Sequence, residues 1–381
     1  MIKKINLLNF SIIFFFLLLG SFQSILPSNS SQMTSDPEYN TGKVAGDYMN
    51  LTYVWIKTNQ TYFISVSMYD EIYKAAPFNP MFGQIISIND TDVFIGTIIK
   101  GFELYIDSNN NQVLDQKSEI KYFIMLNASQ LVVNEPVNVE KINENLTRFT
   151  WKTIYYDIDG FLMPFDSSNR IAYIDSFNLS YTFDISNEYS QLKLSIEMGD
   201  WHAYTTTFEN GQIIPVDPID LSNYGLSMLF GTVIGTTDDL QSNIGGTNDL
   251  MHNASYLLNN SLIFKTTFDE TYNLIDSNEN YISKTVVATN DSLYSDQWVD
   301  WNTPQDLITW WFNFYPTLTE ETPIPQLAND KLVSLYRICY PVFGGKAFSH
   351  DPRYTAYFVP NPKNIPNPTT IQSSLSSTSS S

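Results

Sequence analysis

An antiparallel β-sandwich is the fold class this chain predicts, and three features predict it. Apolar and polar residues alternate with period two along most of the chain. Amphipathic helical runs are nearly missing. Hydrophobic residues make up 43%, with 25 Phe and 24 Tyr, which is enough apolar mass to bury a sizeable core and to set the chain apart from disordered sequences. The length of 381 residues fits either two β-rich domains or one large elaborated sandwich. The expected division is a β-sandwich domain over 36–205 and a second β-rich region over 206–358.

Taken in order, residues 1–28 have the form of a secretory signal peptide. Lys3 and Lys4 precede the apolar run Ile12–Leu19, and Gly20, Ser21 and the polar Pro27–Ser31 follow it. That run is shorter than the roughly 20 residues a membrane-spanning helix needs. Export with cleavage near Ser28 is therefore expected, leaving 353 residues. Leu51, Tyr53 and Trp55 then share one strand face. Ile64, Val66 and Met68 share another, with Ser65 and Ser67 opposite. Phe102, Leu104 and Ile106 lead into a polar loop, and Tyr122, Ile124 and Leu126 leave it. Leu192, Leu194, Ile196 and Met198 alternate with Lys193, Ser195 and Glu197, a half-buried strand that Gly199 and Asp200 end.

Further apolar runs are Tyr224–Phe230, Leu262–Phe268, Leu307–Tyr315 and Leu332–Tyr340, with Trp310, Phe312 and Phe314 on one face of the third. Thr236 to Asn253 holds little apolar material and reads as a long loop or boundary. Residues 359–381 are Pro-, Ser- and Thr-rich and are expected to form a disordered stalk. Stalks usually lead to an anchor, so the expectation is either a chain that continues beyond Ser381 or a released protein.

The formal net charge is −20, and removing Lys3 and Lys4 with the leader takes it to −22. Such a surface repels nucleic acid and anionic lipid, and it attracts divalent cations. A membrane enters only through the leader or a missing anchor. Cys339 is the single cysteine, which rules out an intramolecular disulfide and leaves packing or metal to stabilise an exported protein. Asn-x-Ser/Thr sequons occur at Asn29, Asn50, Asn59, Asn89, Asn127, Asn145, Asn178, Asn253, Asn259 and Asn290, in keeping with an extracellular glycoprotein.

One stretch carries metal chemistry. Asp107-Ser-Asn-Asn-Asn-Gln-Val-Leu-Asp115 sets Asp107, Asn109, Asn111 and Asp115 at the first, third, fifth and ninth positions of a Ca²⁺-type loop, with the Val113 carbonyl at the seventh. Several oxygens converging on a point is what a hard cation requires. Two departures separate it from an EF-hand: Gln112 stands at the glycine position, and the twelfth residue is Ser118, with Glu119 as the acidic residue one place later. Its flanks read as strands, so the expectation is a calcium-stapled loop between strands. The alternative is an Asn-rich turn whose side chains bond their own backbone.

No catalytic constellation emerges. His202, His252 and His350 lack metal-ligand spacing and are expected to be structural. No nucleophile elbow, zincin pair or phosphate-cradling glycine loop is present. Acidic pairs such as Asp157 with Asp159 or Glu320 with Glu321 lack specificity for glycoside hydrolysis. Trp298 and Trp301, in a polar stretch, are the tryptophans expected to contact a ligand or partner.

Gly46–Trp55, Thr61–Asp70 and Phe102–Asp107 together resemble the opening strands of the DOMON and family 9 carbohydrate-binding-module-like β-sandwiches. The resemblance covers about Asp47 to Asn127. It implies an extracellular sandwich with ligand-binding relatives. Haem-binding members use a Met and a His as axial ligands, for which Met68 and His202 are available without a motif linking them, so no site is carried over. The expected function is an exported, calcium-stabilised binding module for a glycan or surface protein, and no enzyme. A structural component of the cell envelope with no small ligand is the alternative, and a glycan-acting enzyme comes third.

Overall fold

The computed structural model describes residues 36–359 apart from 46–49, 59, 70–79, 89–90, 112–113, 115–116, 128–129, 157, 164–169, 211, 237–239, 246–252, 259, 268–270, 276–277, 279, 286 and 291–329. The leader, Val113, Asp115, His252, Trp298, Trp301, the run Leu307–Tyr315 and the tail from residue 360 lie outside the described residues.

The strands are β1 (Glu38–Ala45), β2 (Asn50–Lys57), β3 (Thr61–Tyr69), β4 (Met81–Ile88), β5 (Thr91–Tyr105), β6 (Ile120–Asn127), β7 (Gln130–Asn143) and β8 (Leu146–Tyr156). Next come β9 (Ile158–Met163), β10 (Arg170–Ile174), β11 (Phe177–Ser186), β12 (Tyr189–Met198), β13 (Trp201–Glu209), β14 (Gln212–Pro218), β15 (Gly225–Thr236) and β16 (Leu240–Gly245). The rest are β17 (Asn253–Leu258), β18 (Ser261–Thr267), β19 (Thr271–Ile275), β20 (Tyr281–Thr285), β21 (Val287–Asn290), β22 (Asp330–Tyr340), β23 (Phe348–His350) and β24 (Arg353–Tyr357).

They form two antiparallel sheets. In the first, β1-β2-β3-β4-β5-β6-β9-β10-β13-β14 lie in order, and β15 joins β5 to β22, which in turn carries β21. The second runs β16-β17-β18-β24-β12-β11-β8-β7, with β23 bridging β12 to β19 and β19 pairing β20. Their facing sides share one core, in which Phe63 stacks on Phe183 at 4.3 Å between ring centres and Phe82 meets Tyr354 edge-on at 4.7 Å. Leu192, Leu194, Ile196 and Met198 of β12 all point into it, as their alternation predicts.

Two features differ from the sequence reading, and two more concern which strand face is buried, which alternation alone leaves open. The division expected between 205 and 206 falls inside β13, and strands from both sides pair within each sheet: β15 with β5, and β24 with β12. The stretch read as a loop, Thr236 to Asn253, contains β16, hydrogen-bonded to β17. On β2 it is Val54 and Ile56 that enter the core. On β3 the buried face holds Phe63, Ser65 and Ser67, so the serines face inward. Ser67 lies beside Tyr155 and Tyr181 from the opposite sheet, so the inward-facing serines line the polar part of an otherwise aromatic core.

β5 positions the loop that follows it. The register with β15 runs Gly101↔Leu229 and then Ile99↔Phe230, so Lys100 is the extra residue of a bulge. Before it, Val93, Ile95 and Ile99 face the core, and after it Phe102 and Leu104 do. The bulge therefore sends Glu103 and Tyr105 to the far face of the sheet.

Candidate metal loop at the end of β5

β5 ends at Tyr105, and the chain turns away through residues that favour turns over strand. Ile106 N–H donates to the Glu119 carbonyl at 2.9 Å, closing the loop at its base. Asn110 adopts a left-handed φ of 55°, a conformation asparagine tolerates better than most residues. Asn111 N–H then donates to Asp107 Oδ1 at 3.2 Å and to Asn109 Oδ1 at 3.1 Å. The two acceptor oxygens share one donor, so both face the same side of the turn. Asp107 is half-buried, and Asn109 and Asn111 are exposed.

A short 3₁₀ turn, Lys117–Glu119, returns the chain to β6. Glu119 is fully buried, and its Oε1 accepts hydrogen bonds from both the backbone N–H and the hydroxyl of Ser108, each at 2.9 Å. Of the sequence-predicted ligands, the fold thus gathers the Asp107 and Asn109 oxygens at one turn. Glu119 lies at the loop base and braces Ser108. Lys121 Nζ donates to the Ser118 carbonyl at 2.5 Å. Among the described residues no three His, Cys, Asp or Glu side chains converge as a metal group, so a cation here would rest on asparagine and backbone oxygens beside Asp107.

The loop is pinned from below. Leu114 is buried, with its backbone beside the thiol of Cys339 on β22. Burial pushes that thiol up to about 12, against the opposing pull of the Arg337 guanidinium, so it is not a reactive nucleophile. Beside it, Arg337 Nε and Nη2 donate to Glu103 Oε2 and Oε1 at 2.7 and 3.1 Å. The Tyr105 hydroxyl titrates well above its ordinary range, first because it is buried and then because Cys339, Tyr272, Asp107 and Glu119 are near. Its ring lies against Gly225 on β15, where a Cβ would overlap it.

Sequence reasoning missed Glu103, Arg337 and Tyr105, because nothing local marks the outer face of β5 as covered. Of the histidines, His202 Nε2 donates to Asp175 Oδ1 at 3.1 Å on the surface. His350 is buried, with Nδ1 3.1 Å from the Tyr340 hydroxyl.

The class defined by the fold is an antiparallel β-sandwich with a polar, strand-flanked loop at one end of its first sheet. No protein-family model and no curated protein sequence matches this chain.

Proposed function

We propose that the chain is an exported, calcium-stabilised β-sandwich binding module, acting at the cell surface or as a secreted protein on a glycan or protein ligand. The observation that carries it is the Asp107 loop, where the Asp107 and Asn109 oxygens converge on a turn that Glu119 and Leu114 hold in place. Asp107, Asn109, Asn111, the Val113 carbonyl and Asp115 would supply the oxygens, and the net charge of −20 favours a divalent cation. The resemblance to sandwiches with ligand-binding members supports a ligand.

Calorimetric titration of the calcium-free protein with Ca²⁺ tests the staple, and a glycan array run with and without calcium tests the ligand. A binding heat together with a calcium-dependent glycan signal supports the reading. Calcium binding with a silent array leaves the envelope-structure alternative. An absent heat reduces the loop to an Asn-rich turn.

A further inference from the structure

Among the N-glycosylation sequons, the structure describes the asparagines at 50, 127, 145, 178, 253 and 290, and it places them differently. Asn50, Asn127, Asn253 and Asn290 lie within β2, β6, β17 and β21 and are paired in their ladders. Asn178 is half-buried in β11, opposite both Ile154 and Glu197, with its Nδ2 3.5 Å from the Glu197 carboxylate. Asn145 is different. It sits exposed at the turn between β7 and β8, and it begins the sequon Asn145-Leu146-Thr147.

We propose that Asn145 is an N-glycosylation site, with a lipid-diphosphate-linked oligosaccharide as donor; the proposal rests on the export reading above. The Asn145 backbone N–H donates to Asn143 Oδ1 at 2.8 Å, which fixes the turn. Its side-chain Oδ1 accepts a long 3.4 Å contact from Asn187 Nδ2, and among the described residues its own Nδ2 donates to nothing. In the transfer, Nδ2 attacks the anomeric carbon of the donor sugar and the bond from that carbon to the diphosphate oxygen breaks. The lipid diphosphate leaves, and the amide proton passes to a base of the transferase. No electrons change hands. A glycan here would project into solvent from the hairpin tip and shield Val139 and Ile142, two exposed apolar side chains on the same hairpin.

The timing also follows from the fold. Thr147, whose hydroxyl completes the sequon, is buried and held between Lys141 and Ile185. The transferase must therefore read the sequon before the β7–β8 hairpin closes, so the modification is made on the unfolded chain.

The test is to produce the full chain in a eukaryotic secretory host, alongside a version whose residues 1–28 are replaced by a host leader. Treating the secreted protein with N-glycosidase in heavy-oxygen water should leave labelled aspartate at position 145. Asn145→Gln and Thr147→Ala should each remove one glycan from the intact mass, whereas Thr147→Ser should keep it. Folded protein made in a bacterial cytoplasm should not accept a glycan in vitro until it is unfolded. A secreted, natively folded protein whose Asn145 peptide carries no label overturns the proposal, as does folded cytoplasmic protein that is glycosylated at this position. If only the version with its own leader stays in the cell with Met1 retained, the export reading fails and the host-leader version still decides the site.

Discussion

Glu103 on β5 and Arg337 on β22, 234 residues apart in the chain, form a two-point ion pair with side chains only 0% and 1% exposed. Between them runs β15, where Ser227 stands opposite Glu103 and Leu229 opposite Arg337. The pair therefore spans three strands, and it lies beneath the loop that Leu114 anchors.

Breaking that pair from one side should be costly. Glu103→Gln leaves a buried guanidinium without its counter-charge, and a loss of about 3–5 kcal/mol is expected in urea unfolding. Glu103→Gln combined with Arg337→Met removes both charges and should recover much of the loss. A double variant no more stable than the single one would show that the two positions are not coupled.

Calcium should raise the melting temperature and a chelator lower it, because a cation that binds only the folded state stabilises it by mass action. The effect is about 3 kcal/mol at roughly a hundred-fold excess over the dissociation constant. Asp107→Ala should abolish most of this response while leaving the calcium-free melt nearly unchanged. Overlaid melts of the parent protein with calcium and with chelator would exclude the staple.

Stability should fall on the alkaline side. Burial raises the Cys339 thiol from 9.0 to about 12 and the Tyr272 hydroxyl from 10.0 to about 12, and it raises Tyr105, Tyr155 and Tyr340 as well. These groups hold their protons more tightly folded than unfolded. Their contribution is intact below the unfolded values and is lost as pH rises from about 9 towards 12, on the order of a few kcal/mol by the top of that window. Chemical melts from pH 8 to about 11 measure this, and a flat profile would contradict it. For the same reason a thiol reagent at neutral pH should label Cys339 only after unfolding.

Gly225→Ala should destabilise the protein by about 1–3 kcal/mol, since the added methyl meets the Tyr105 ring in a packed interior. Replacing Tyr105 with Leu in the same chain should relieve part of the effect. Equal melting of Gly225→Ala and the parent would mean that the ring moves aside freely.

Much of the local structure was legible beforehand. The β12 alternation, the strands on either side of the Asp107 loop and the loop itself all follow from residue types a few positions apart. Other features were not. Period two shows that Phe63, Ser65 and Ser67 share a face, but it does not say that this face meets the second sheet; that depends on Tyr155 and Tyr181 arriving from strands far along the chain. Likewise Glu103 reads as a solvent-facing charge until Arg337 is brought beside it.

What the sequence by itself determined was the β class, the polar loop after β5 and the sequons, because each is written in neighbouring residues. Only the tertiary structure decided that 36–205 and 206–358 share sheets, that a bulge at Lys100 turns Glu103 and Tyr105 outward, that Glu119 lies buried beneath Ser108, and that Asn145 stands at a tip while Asn178 sits within a sheet. Those outcomes depend on strand partners far away along the chain, and long-range pairing leaves no periodic trace in either partner alone.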